Sequence, residues 1–219
     1  MVTLAPPAPT VAQARVAAVV HAPARESLIA RAIAAYDGGL RVLVLPVSIP
    51  FVAEIAAEIA DRADDLTVGI SDVVDLEHVS IALAAGASFA LLTGLDEELE
   101  KNAEARGLTV ISAVSTPSEL LLARKRQSGL IAVYPVGYMG GSSYFGRLAR
   151  IHPNAPLAAV GNIGPDDAPA YLEAGAQVVI VDHGLFPADD DPASSEVIGL
   201  RAGALVEVCG EIIPRPSGP

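Results

Sequence analysis

Cysteine and lysine are nearly absent from this chain, and both shortages are informative. A single cysteine, Cys209, excludes an internal disulfide and a thiolate cage for zinc. The only lysines are Lys101 and Lys125. Basic residues are scarce overall: 14 Lys and Arg stand against 26 Asp and Glu, a formal net charge of −12. Such a field repels phosphate backbones and anionic lipid, so neither nucleic acid nor a membrane surface is expected as a partner. No apolar run reaches the ~18 residues of a membrane span, because Gly, Pro or a charge interrupts each one. No basic segment followed by an apolar signal core opens the chain. These absences predict a soluble, cytoplasmic protein.

What is present is 52% hydrophobic residues in a 219-residue chain, enough for one sizeable core. The ends read as tails: residues 1–14 carry three prolines and no charge beyond the terminus, and IPRPSGP closes the chain over 213–219. Between them, 15–212 reads as one domain. Short β-branched runs alternate with longer Ala/Leu/Glu-rich segments: VAAVV (16–20), RVLVLPV (41–47), LTVGI (66–70), SFALL (88–92), LTVIS (108–112), LIAVYPV (130–136), PLAAVG (156–161) and QVVIVD (177–182). Near-continuous apolar runs of this length suit parallel strands buried on both faces. Between them, Val52, Ile55, Ala56 and Ile59 recur at helical spacing, Asp96 and Thr116 stand as N-caps, and Asp191 with Pro192 reads as the N-cap and first residue of the last helix. Eight strand–helix units predict a (β/α)8 TIM barrel near its lower size limit. A doubly wound open sheet is the alternative, weakened by the lack of G-x-G-x-x-G after the first strand.

The segments GGLRVL (38–43), GASFALLTGLDEELEKNAEARGLTVISAVSTPSEL (86–120) and YPVGYMGG (134–141) together resemble the 2-keto-3-deoxy-6-phosphogluconate aldolase family. The likeness extends over about 19–187, with AVGNIGP (159–165) and VDHGLFP (181–187) at the last two strand ends. The resemblance implies a trimeric (β/α)8 barrel and a Schiff-base aldolase that makes or cleaves pyruvate adducts. It also implies which positions would carry that chemistry, and here the chain departs from the pattern. The Schiff-base lysine falls on Ala132, the general-base glutamate on Val44, and the carboxylate-binding arginine on Ser48. The threonine of the third strand end falls near Asp72, and the phosphate-gripping serine of the eighth near His183. Lys101 and Lys125 fall on helices, away from the catalytic end, so neither replaces the missing amine.

The strand ends deliver other polar groups to the same face. Asp72, Asp182, His183 and Tyr134 are the candidate catalytic residues, since imidazole beside carboxylate is the usual material for acid–base work near neutrality. Tyr134 shares strand parity with Ala132 and could donate to a developing oxyanion. Ser48, Thr93, Ser112, Tyr138, Gly161 and Asn162 are the candidate substrate contacts. Each has a plainer role open to it: Asp72 as a helix cap that Asp75 could replace, Asp182 pointing away from the mouth, Tyr134 as filler for the space left by lysine. No metal or other cofactor is expected. Asp72, Asp182, His183 and the run Asp189–Asp191 offer oxygen and imidazole ligands for a divalent metal, but no ligand-spacing motif accompanies them. The loop Gly161–Gly164 resembles a phosphate-gripping turn. It lacks a basic neighbour, and Asp166, Asp167 and Asp189–Asp191 would repel a dianion, so the expected substrate is small and non-phosphorylated. Two functional classes follow. The first is a barrel repurposed for acid–base chemistry of lyase, isomerase or cyclase type on a carbonyl-containing metabolite. The second is a non-catalytic descendant that binds a metabolite or partner protein. A homotrimer is expected from the resemblance alone.

Overall fold

The computed structural model describes residues 9–63, 65–126, 128–187 and 194–212. Eight parallel strands close into a barrel in sequence order: β1 (Val16–Val19), β2 (Val42–Pro46), β3 (Thr67–Val73), β4 (Phe89–Leu92), β5 (Thr109–Val114), β6 (Ile131–Val133), β7 (Leu157–Val160) and β8 (Val178–Val181). β8 pairs with β1 through Val16↔Val179 and Ala18↔Val181. The predicted (β/α)8 barrel is therefore the architecture of the chain, and the open sheet is excluded.

Two apolar layers follow from the period-2 alternation of strand side chains. Ala17, Val19, Val42, Val44, Phe89, Leu91, Ile111, Ala113, Ala132, Ala158, Val160, Val178 and Ile180 fill the barrel interior. Their neighbours, such as Ala18, Leu43, Ile70, Val133, Val179 and Val181, face the helices. Size is balanced across the interior. Phe89 is fully buried and stands opposite Gly69, where an added Cβ would lie 2.2 Å from its ring. Only glycine admits that ring.

The helices cover the barrel: α2 (Arg25–Asp37), α3 (Val52–Ala60), α4 (Leu76–Ala84), α5 (Glu97–Ala105), α6 (Pro117–Lys125), α7 (Gly141–Ile151, after a single 3-10 turn at Val136–Met139), α8 (Ala168–Glu173) and α9 (Ser194–Glu211). Three of their starts carry side-chain caps. Asp75 accepts from the His78 amide at 2.8 Å, Asp96 from Leu99 at 3.0 Å, and Thr116 with Glu119 forms a full capping box. The expected cap at Asp191 and Pro192, and the tails 1–8 and 213–219, lie outside the described residues. Among the described residues no helix is long and apolar enough to cross a membrane.

One segment differs from expectation. Residues 9–13, read as part of a proline-rich tail, form a short helix, α1 (Pro9–Gln13). Its Val11 is 1% exposed and joins the interior cluster at the N-terminal end of the barrel. Proline content favours a tail; burial of Val11 in the interior cluster outweighs it.

Candidate functional site

The C-terminal ends of the strands carry the polar residues, and the backbone is least relaxed there. Four non-glycine residues among those described have positive φ. Three of them, Phe51, Asp72 and Asn162, lie on this face. Such conformations cost about 1–3 kcal/mol each and concentrate where geometry serves function.

The axis of the barrel is packed with aliphatic side chains. Ala132 and Val44 are both 0% exposed within the interior cluster. Lys101 lies on α5 and holds Glu97 at 2.6 Å, its side chain 72% exposed. Lys125 ends α6 in solvent. Neither ammonium reaches the interior.

At the end of β8 the chain brings two candidate residues together. Val178 and Ile180 face inward, and Asp182 continues that register with His183 on the opposite parity. Both Asp182 carboxylate oxygens accept backbone amides of the β7–α8 loop: Oδ2 from Asn162 at 2.7 Å and Oδ1 from Ile163 at 2.8 Å. Oδ1 also meets His183 Nδ1 at 3.1 Å. A carboxylate only accepts, so in the neutral imidazole this contact places the proton on Nδ1 and the lone pair on Nε2. The imidazole is half exposed (52%), whereas Asp182 is more enclosed (27%). Nearby, burial pushes the Tyr171 phenol above its ordinary value, with the Asp167 and Asp182 charges adding to the effect.

Apart from the Gly161–Asn162 turn, the other expected residues do not join this pair. Asp72 lies on β3, with β2 and β1 between it and β8. It is exposed, accepts from Ser71 Oγ at 3.2 Å, and sits where the β3–β4 register shifts between Ile70 and Val73. Asp75, not Asp72, caps α4. Ser48 and Thr93 are exposed beyond β2 and β4. Tyr134 is 36% exposed, and its ring lies against Gly161, where an added Cβ would meet Cδ2 at 2.8 Å. Tyr138 stands in solvent at 77% exposure. Gly161 and Asn162 form the turn that Asp182 grips. Among the described residues no group of three His, Cys, Asp or Glu side chains has a metal-binding arrangement; the Asp189–Asp191 run lies outside the described residues.

Ser112 requires a correction. It faces away from the mouth because Ile111 and Ala113 are the inward residues of β5. Its Oγ donates to Glu100 Oε1 of α5 at 2.8 Å, and both residues are buried. Burial pushes the Glu100 carboxyl above its ordinary value, with the Ser112 hydrogen bond and the Arg126 charge partly offsetting this. A carboxyl raised by folding contributes stability that is full below its unfolded value and lost as pH rises through the folded one. Glu100→Gln, which keeps an acceptor for Ser112, is therefore expected to gain stability relative to wild type as pH rises from the ordinary carboxylate range to neutrality. Thermal melts of both proteins at pH 4.5 and 7 check this. A gap that stays constant or closes would contradict it.

Two cavities flank His183. One, of about 420 Å³, opens between the ends of β8 and β1 and is lined by His21, Arg31, Ile49, Asp182, His183 and Phe186. The other, about 640 Å³, lies between the β7–α8 loop and α9. Arg31 was not among the sequence candidates. It is 6% exposed, and its Nη1 donates to the His21 carbonyl at 2.7 Å, fixing the end of β1. The signal was legible: an arginine at helical spacing from Leu28 and Ala35, on the buried face of α2.

A (β/α)8 barrel with its polar groups on the C-terminal face belongs to the class of barrel enzymes and their descendants. The model of the KDPG and KHG aldolase family matches residues 9–197, and the chain belongs to that family. It is 29% identical over 152 residues to the 2-dehydro-3-deoxy-phosphogluconate aldolase of Dickeya dadantii (strain 3937), covering 69% of this chain and 71% of that protein. The KHG/KDPG aldolase of Escherichia coli (strain K12) is 28% identical with the same coverage. Among solved structures, the KDPG aldolase of Legionella pneumophila, with pyruvate captured as a covalent carbinolamine, has a TM-score of 0.82 at 20% identity. The alignment covers 92% of this chain and 98% of that one. At that identity it shows the fold alone.

Proposed function

We propose that this protein is a member of the aldolase family that has left amine catalysis for acid–base chemistry on a small, non-phosphorylated, carbonyl-containing metabolite. His183 is the acid–base residue, and Asp182 is the group that fixes its tautomer. The observation that carries the reading is the Asp182–His183 contact at the end of β8, beside two cavities. A carbinolamine like the one in the Legionella aldolase requires an amine at the carbonyl. The position that the resemblance gives to that amine is Ala132, and both lysines lie outside the barrel. The reaction is of lyase, isomerase or cyclase type and needs no cofactor. The filled barrel axis favours a second reading, a barrel that only binds its metabolite.

The test is to incubate the protein with a cell extract and follow small molecules by mass spectrometry. A non-phosphorylated carbonyl compound consumed by wild type and not by His183→Ala is expected. A compound retained unchanged by both supports the binding reading instead. Pyruvate with borohydride is expected to add no mass to the protein; an adduct mapped to Lys101 or Lys125 would overturn the loss of amine chemistry.

The homotrimer belongs to the same proposal, supported by the family and by large apolar side chains in solvent such as Phe51 (71% exposed) and Leu200 (69%). Light scattering is expected to give about three times 22.4 kDa, and a monomer mass would refute it. Location in the cytoplasm is supported by the lone, buried Cys209, whose thiol burial pushes up to about 11.

A further inference from the structure

The two edges of the His183 ring face different surroundings. Nδ1 is tied to Asp182, whose side chain lines the smaller cavity beside His21. Nε2, the nitrogen left with a lone pair, lies over Gly164: a Cβ built on that glycine would come 3.2 Å from Nε2 and 3.6 Å from Asp167 Oδ2. Gly164 lines only the larger cavity, the groove between the β7–α8 loop and α9. We infer that His183 works into this outer groove rather than into the barrel mouth, and that Gly164 keeps its Nε2 open to a ligand.

The groove also specifies what it can hold. Its lining includes the apolar residues Pro165, Pro169, Leu205 and Val208. Its rim carries Asp166 and Asp167, which are exposed carboxylates, against one arginine. That arginine, Arg201, donates to the Gly184 carbonyl at 3.1 Å. One oxygen of Asp167 accepts the Gly164 amide at 3.3 Å. Two carboxylates and apolar lining residues suit a molecule with an apolar body and an amine or hydroxyl donor, and disfavour a dianion. The volume of about 640 Å³ is in the range that holds a metabolite-sized compound.

Gly164 is not among the residues with positive φ, so alanine there requires no backbone strain. Its methyl group would displace neighbours by only tenths of an ångström and sit on Nε2. Gly164→Ala is therefore a probe of access to Nε2 that leaves the Asp182 contact in place.

This inference rests on the acid–base role of His183, and the experiment separates the two. Diethyl pyrocarbonate acylates free imidazole nitrogen, and peptide mapping reads His21, His78, His152 and His183 individually. In wild type His183 is expected to react, and in Gly164→Ala its rate is expected to fall at least fivefold while His152 is unchanged. Titration with phenethylamine is expected to move the His183 imidazole NMR resonance, and inorganic phosphate at equal concentration is expected to leave it in place. Unchanged His183 reactivity in Gly164→Ala overturns the assignment of the groove, as does a response to phosphate but not to phenethylamine. If turnover is lost in His183→Ala yet intact in Gly164→Ala, the acid–base role stands and the groove assignment falls. If both variants turn over as wild type does, the acid–base role itself has failed.

Discussion

Replacing His183 by alanine is expected to lower turnover by ~10²–10⁴ while thermal stability stays within about 0.5 kcal/mol of wild type. The separation follows from exposure. Half of the imidazole is in solvent, and its hydrogen-bond partner among the described residues is Asp182. Asp182→Asn is expected to behave differently. An asparagine can keep one oxygen for Ile163 and His183, but it turns an amide toward the Asn162 N–H, which Oδ2 now accepts at 2.7 Å. That loss costs about 1–3 kcal/mol of stability. The same change also removes the charge that stabilises an imidazolium. Urea titration and turnover, measured on both variants, check the pattern. An Asp182→Asn protein as stable as wild type would show that the carboxylate does not hold the loop.

Phe89→Ala is the change expected to cost the most stability, about 3–5 kcal/mol, because the ring is wholly buried at the centre of the barrel. Gly69→Ala is expected to cost about 1–3 kcal/mol by the opposite route, pushing the same ring out of its place. The two act on one volume, so the double variant should be more stable than the sum of the single losses allows. Chemical denaturation of the four proteins reads the coupling. Strict additivity would mean that Gly69 and Phe89 do not share the interior as described.

The architecture was legible because its signals are local and redundant. Eight β-branched runs, three side-chain caps and the spacing of Val52, Ile55, Ala56 and Ile59 each state the same alternation. The site was legible only to the level of strand ends. Which way an end residue faces depends on register between strands, which one strand cannot reveal. Tyr134 lies beyond the end of β6 with its ring against Gly161, and Ser112 is an outward residue bonded to Glu100. In β3 the shift beside Asp72 breaks the alternation that a parity argument assumes. Asp182 was weighed as catalytic or outward-pointing; its grip on two amides twenty residues away in sequence is a tertiary fact with no local mark. Arg31 and Glu100 do carry a mark in the sequence, a charge on the buried face of a helix.

Val11 closes one end of the barrel, and this makes the molecule one-sided. A solute approaching from the strand N-termini meets a stopper of packed aliphatic groups, so the barrel interior is closed from that side. The opposite hemisphere carries Phe51, Asp72, Asn162 and the Asp182–His183 pair. Ligands of both cavities therefore arrive from one side, one between the ends of β8 and β1 and the other beside α9.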